Sequence, residues 1–261
     1  MPIRYETSDG IAKITIDKPP LNVFTPVMHK ELYEALREFT ADAEVRCGIL
    51  TGAGSRAFSA GDDIKTPRPE RTRLEVIERH LAPSHAYDSQ EYPGWEHEFL
   101  TMARYKPIVA AVQGYCFGQG FIYLNHLSDF RYASTDAVFG MPEIAYGMGG
   151  AGGALSLGKM IPHTAAMELL LLGDKIDAAT AERMFLINAV VELEKLMENA
   201  EAAANKIASH PPLGIRVEME SYQRGLDLNR ADSMAMAGHM YRMARAVQTT
   251  TPPLAKKDAA E

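Results

Sequence analysis

Two five-residue stretches of this chain, Cys47-Gly48-Ile49-Leu50-Thr51 and Ile108-Val109-Ala110-Ala111-Val112, carry no charge and no polar–apolar alternation. A strand wetted on one face alternates, so runs of this kind fit strands covered on both faces, the situation of a parallel sheet between other layers. Each run leads into a glycine-bearing turn: Arg56-Ala57-Phe58-Ser59-Ala60-Gly61-Asp62-Asp63-Ile64 after the first, and Val112-Gln113-Gly114-Tyr115-Cys116-Phe117-Gly118-Gln119-Gly120 after the second. Upstream, Ile11, Ile14 and Ile16 interleaved with Lys13, Thr15 and Asp17 predict a strand that ends at Lys18-Pro19-Pro20. From Thr25, the residues Val27, Met28, Leu32, Leu36 and Phe39 recur at helical spacing, with Thr25 as N-cap and Pro26 at the first helical position.

Beyond about Ala178 the pattern turns helical, with helices predicted over 178–185, 193–209, 214–226 and 230–247 and a break at Ser209-His210-Pro211-Pro212. Strands alternating with helices, then helices alone, imply an α/β core with a helical addition. The division falls at 1–195 for the α/β core and 196–261 for a C-terminal helical region that ends in a polar tail from Thr249.

The net charge of −7 and a pI near 5.7 argue against a polyanionic partner such as nucleic acid. Cys47 and Cys116 lie far apart in apolar contexts without CxxC spacing, as buried core thiols of a reducing compartment do. No stretch approaches a membrane span and the N-terminus enters a strand pattern directly, so the expected location is the cytoplasm. No metal site or organic redox cofactor is evident.

Glycines let the backbone turn sharply and expose N–H groups, and the start of a following helix adds donors without partners. Two such turns can form an oxyanion hole, although a single glycine turn more often serves close packing of strand on helix. In Phe-Ser-Ala-Gly-x-Asp at 58–63 and Ala-Ala-Val-x-Gly-Tyr-x-x-Gly-x-Gly at 110–120 the sequence resembles the enoyl-CoA hydratase/isomerase (crotonase) superfamily. Phe139-Gly140-Met141-Pro142-Glu143, then Gly152-Gly153, and Gly173-Asp174-Lys175-Ile176-Asp177-Ala178 with Ala181 continue that pattern in order, over nearly the whole chain.

The resemblance implies a spiral of β-β-α units with a C-terminal helical region, assembled as a homotrimer or a pair of trimers. It implies that the N–H groups of Asp62 and Gln119 point at a thioester oxygen, their side chains being incidental, and stabilise the enolate formed there. Gln119 stands where glycine is frequent. Asp63 matches a frequent acid and reads as a helix cap, and Asp62 reads as solvent-exposed. Of the two glutamates of the family's hydratases, Glu143 matches the second, whereas Ile122 occupies the place of the first. A glutamate after a proline turn is ordinarily a surface residue or a cap; its motif position makes Glu143 the candidate catalytic group, its pKa raised if it faces an apolar pocket.

One base suffices to move a proton between C2 and C4 of an enoyl thioester, so the pattern suits an isomerase, or a hydratase in which Glu143 activates water alone. A hydratase-lyase, a thioester hydrolase and a non-catalytic CoA-binding subunit are the alternatives. Coenzyme A enters as part of the substrate thioester, and the resemblance suggests Ala60 and Ile64 beside its adenine with Arg56 and Lys65 near its phosphates. The segment Ile64 to Lys106 is long and gathers His80, His85, Tyr87, Asp88, Glu91, Tyr92, Trp95, Glu96 and His97. It shapes the acyl pocket or simply packs. Tyr115, Tyr123 and His126 lie near the second turn without an assigned role. The glycine loop 146–153 lacks the family's usual proline.

Overall fold

The computed structural model describes residues 1–66, 70–81, 98, 101–149 and 153–248. Strand β1 (Ile3–Ser8) turns back antiparallel into β2 (Ile11–Ile16), with Ile3 opposite Ile16. Helix α1 (Pro26–Ala41) follows, and the Thr25 hydroxyl accepts from the Met28 N–H at 3.4 Å as an N-cap should. Its buried face is Met28, His29, Leu32, Ala35, Leu36 and Phe39. Val27, read from the sequence as part of that face, is 37% exposed. Helical geometry places 25, 29, 32 and 36 on one stripe and 27 beside it, so the stripe includes a histidine.

Strands β3 (Cys47–Gly52), β4 (Ala57–Ser59), β5 (Ile108–Val112), β6 (Tyr115–Phe117), β7 (Phe130–Ser134) and β8 (Val138–Gly140) go alternately to two sheets. With β9 (Ile176–Asp177) and β10 (Ala189–Val191), the orders are β1-β2-β3-β5-β7-β10 and β4-β6-β8-β9. A strand in the larger sheet, a strand in the smaller and a returning helix make one unit. Helix α2 (Arg73–Leu81) follows the β3–β4 pair, and α3 (Gln119–Leu127) follows β5–β6. This is the expected β-β-α spiral.

β3 and β5 are parallel, with Gly48 opposite Ile108 and Thr51 opposite Ala111. Leu50, Ile108, Ala110 and Val112 face the core shared with α1 and α3. After α4 (Gly153–Met160), α5 (His163–Met167), a π turn at Glu168–Leu172 and α6 (Ala178–Arg183), helix α7 (Leu193–Ala208) covers the opposite face. There Leu196, Ala200 and Ala204 pack on Cys47, Ile49, Val109 and Ala111. Coverage on both faces explains why these strands carry no alternation.

The compact units are Met1–Ala208 and Ser209–Glu261. The division therefore falls after Ala208 and not after residue 195, because α7 seals one face of the larger sheet. Ala200 and Ala204 are fully buried and let the helix approach closely. Ala200→Leu is expected to cost about 1–3 kcal/mol by overpacking, read as a lower urea midpoint at unchanged slope. In the second unit, α8 (Pro212–Gly225) and α9 (Arg230–Gln248) form a helical pair, and Glu220 bridges Arg216 and Arg224 at 2.9 Å each. Among the described residues no helix is long and apolar enough to cross a membrane.

Candidate active site

Ser59 closes β4, and its hydroxyl donates to the Asn22 carbonyl at 2.8 Å while accepting from the Gly61 N–H at 3.2 Å. The Phe24 N–H donates to the Gly61 carbonyl at 2.9 Å, and the Asp63 N–H donates to the Phe24 carbonyl at 2.8 Å. Asp62 is thus held between two residues pinned to the same neighbour. The turn requires glycine at 61, where φ is +96°.

The second turn is anchored where the Gly118 N–H donates to the Gly140 carbonyl at 3.1 Å. Gln119 is the first residue of α3, so its N–H is among the donors that the helix itself leaves without an acceptor. The two turns touch: a Cβ placed on Gly61 would lie 3.1 Å from the Phe117 carbonyl oxygen and 3.4 Å from the Gln119 nitrogen. The structure thereby brings Asp62 and Gln119 together from elements far apart in the chain.

Glu143 joins them. It sits in the first turn of a 3-10 helix, Pro142–Tyr146, directly after β8, the strand end to which Gly118 is bonded. A Cβ on Gly118 would lie 2.5 Å from Glu143 Oε1, so the carboxylate stands against the backbone of the second turn. Its Oε2 is buried without a hydrogen-bond partner among the described residues. Burial lifts the Glu143 carboxyl above the ordinary glutamate range, a hydrogen bond from its own backbone opposes this, and the charge of Asp62 lifts it further. Such a group takes up and gives back a proton nearer neutral pH than an exposed glutamate does. Ile122 lies in the apolar core.

The Asp62 side chain is not exposed as the sequence suggests. It is 17% accessible, and its Oδ1 lies 3.0 Å from His29 Nε2, while His29 Nδ1 lies 2.5 Å from the Tyr123 hydroxyl. His29 and Tyr123 are buried, and the Phe24 ring stacks on His29 and meets Tyr123 edge-on. Sequence reasoning left Tyr123 without a role and missed His29. A signal existed, since a histidine on the apolar stripe of α1 needs a buried partner. The Gln119 side chain is buried, and its Nε2 has no hydrogen-bond partner among the described residues.

Asp63 caps a turn and not a helix. Its carboxylate accepts from the Lys65 and Thr66 N–H groups and the Thr66 hydroxyl, and pairs with Lys18 at 3.3 Å. These bonds, led by the Thr66 hydroxyl, hold the Asp63 carboxyl below the usual range, which suits a structural anion. Ala60, Ile64 and Lys65 follow β4, whereas Arg56 precedes it, about 10 Å away along the strand. Ile64, Lys65 and Arg56 are exposed. Tyr115 stacks on Phe117 at 5.3 Å, and His126 is half-buried in α3. Residues 82–97 lie outside the described residues, so the histidines and aromatics from His85 to His97 are not placed. The same holds for Gly150, Ala151 and Gly152 of the glycine loop. A separate cleft of about 290 Å³, lined in part by Arg4, Lys13 and Gln113, shares no residue with the cluster around Glu143.

The model of the family described as enoyl-CoA hydratase/isomerase matches residues 6–250. A Rhizobium meliloti (strain 1021) protein named "Probable enoyl-CoA hydratase" is 37% identical over 90% of this chain and 86% of its own length. The (E)-benzylidenesuccinyl-CoA hydratase of Thauera aromatica is 33% identical over 87% of this chain and 84% of its own. Among solved structures, an enoyl-CoA hydratase subunit I from Geobacillus kaustophilus HTA426 superposes with a TM-score of 0.80 at 29% identity, covering 94% of this chain and 90% of that one.

Proposed function

This chain belongs to the enoyl-CoA hydratase/isomerase family, an enzyme family acting on acyl-CoA thioesters, and from that premise we propose that it adds water reversibly across the double bond of a 2-enoyl-CoA. The N–H groups of Asp62 and Gln119 hold the thioester oxygen, and Glu143 carries the proton that is exchanged at C2. The observation that carries this reading is the meeting of the two glycine turns at the Glu143 carboxylate, whose Oε2 is buried without a partner among the described residues.

The chemistry follows from charge. Adding to a conjugated thioester, or removing its C2 proton, puts a negative charge on the carbonyl oxygen, where fixed donors lower the barrier by about 3 kcal/mol each. A carboxyl with a raised pKa is poised to transfer the C2 proton in either direction. The names of the relatives in Rhizobium meliloti and Thauera aromatica favour hydration over a double-bond shift. For the CoA moiety, the exposed apolar Ile64 with Ala60 offers a surface to the adenine, and Lys65 and Arg56 supply cations on either side of β4. A cytoplasmic homotrimer, or a pair of trimers, is the assembly that accompanies this reading, and sedimentation measures it.

The test is incubation with 2-enoyl-, 3-enoyl- and aryl-enoyl-CoA thioesters in deuterated water, read by mass spectrometry. Glu143-dependent deuterium at C2 with gain of water is the expected result. A migrated double bond without added water would replace hydration by isomerisation, and bound thioester with no exchange would overturn the reading.

A further inference from the structure

Hydration needs two proton transfers, one from water and one to C2, and Ile122 leaves the family's first glutamate position without a carboxylate. Resting on the function proposed above, we propose that the Asp62 side chain is the second catalytic group, taking the proton of the attacking water, and that His29 is its positioning residue. The sequence reading gave Asp62 an N–H only; the geometry gives its carboxylate a place of its own.

Three observations support this. Asp62 directly follows Gly61, where an added Cβ would lie 3.4 Å from the Gln119 nitrogen and 3.7 Å from Gly118 Cα, and a Cβ on Gly118 would lie 2.5 Å from Glu143 Oε1. The charge of Asp62 is among the causes that lift the Glu143 carboxyl. Its Oδ1 is held at 3.0 Å by His29 Nε2, which is itself fixed from behind by the Tyr123 hydroxyl at 2.5 Å. An ionised carboxylate only accepts hydrogen bonds, so Nε2 carries the hydrogen and Nδ1 accepts from the Tyr123 O–H. The chain of donors therefore runs Tyr123 to His29 to Asp62.

The surroundings of the two acids differ. Glu143 has an oxygen buried without a partner among the described residues and a raised carboxyl, whereas Asp62 Oδ1 receives a hydrogen bond from His29. In the forward step the water oxygen bonds to C3 while its proton passes to Asp62, and the C2–C3 π pair moves into the enolate. The enolate then collapses as C2 takes the proton of Glu143. Proton transfer from Asp62 to Glu143 through solvent restores both groups, so the cycle consumes only water and enoyl thioester.

The experiment compares hydration of a 2-enoyl-CoA with C2 deuterium exchange of the saturated acyl-CoA, a reaction that needs Glu143 and the oxyanion donors but no attack by water. Asp62→Asn keeps the backbone N–H and the side-chain shape. It is expected to lower hydration about 100-fold and exchange by less than about fivefold. Asp62→Ala should regain hydration when formate is added, a rescue that a purely structural residue does not show. His29→Gln, which retains an N–H donor, should keep most hydration, whereas His29→Leu should lose about 10- to 100-fold. Equal losses of hydration and exchange in Asp62→Asn, or undiminished hydration, would overturn the role of Asp62 while leaving the proposed function standing. Absence of Glu143-dependent exchange in the unmodified protein would sink both.

Discussion

Replacing Glu143 by glutamine is expected to lower turnover by about 10³-fold and, at neutral pH, to make the protein harder to unfold. The first effect follows because glutamine keeps the shape of the side chain but can neither take nor give the C2 proton. Thioester binding should persist, since the N–H donors at Asp62 and Gln119 belong to turns fixed by Ser59, Phe24 and Gly140 and not by Glu143. The pattern to look for is a collapse of kcat with little change in Kd for a saturated acyl-CoA.

The second effect is a matter of linkage. Glu143 is raised in the folded protein by burial first and by the charge of Asp62 as well. A carboxyl whose folded pKa exceeds its unfolded value contributes most to stability below the ordinary glutamate range, and that contribution is lost as pH rises through the raised value. Glutamine does not ionise, so the variant is spared this loss. Urea unfolding of the two proteins should show the variant ahead at pH 7–8 and the gap closing toward a pH of about 4. A variant that is inactive but equally stable at both pH values would mean that the carboxylate is not strained in the fold. Asp62→Asn should shift the acid limb of C2 exchange downward, because the negative charge that helps to raise Glu143 is gone.

What the sequence reveals and what it conceals divide along a physical line. The uncharged strands, the capped helix after Thr25 and the helices from Ala178 onward are legible because burial on a strand or a helical stripe leaves a local period. The turns at Gly61 and Gly118 are legible as glycine, but their contact is a property of the parallel pairing of β4 with β6, which places Ala57 opposite Tyr115. Glu143 is visible through the motif that surrounds it. The Asp62–His29–Tyr123 chain is not, because its members are 33 and 94 residues apart and no local pattern links them. The misplaced boundary at 195 has a similar cause: the apolar face of α7 is plain, yet the surface it covers, Cys47 to Ala111, is assembled only by the sheet.

Gly118→Ala tests the idea that the second turn and the carboxylate form one device, and its expected cost in kcat/KM is about 100-fold or more. Gly118 has φ of +53° and ψ of −125°, a conformation in which an L side chain is strained by about 1–3 kcal/mol. The added methyl would also lie 2.5 Å from Glu143 Oε1. The carboxylate is the end of a flexible side chain, so it would yield before the backbone does, and the proton donor would move off the C2 position. If the backbone yields as well, the Gln119 N–H tilts away from the thioester oxygen and a second loss follows. The double variant with Glu143→Gln separates the two. In that background the loss due to a displaced carboxylate has nothing left to act on, so any further fall in residual turnover measures the tilted N–H alone. A further fall below about threefold would assign the role of Gly118 to making room for Glu143; a fall as large as in the unmodified enzyme would assign it to holding the donor, with the carboxylate only a neighbour.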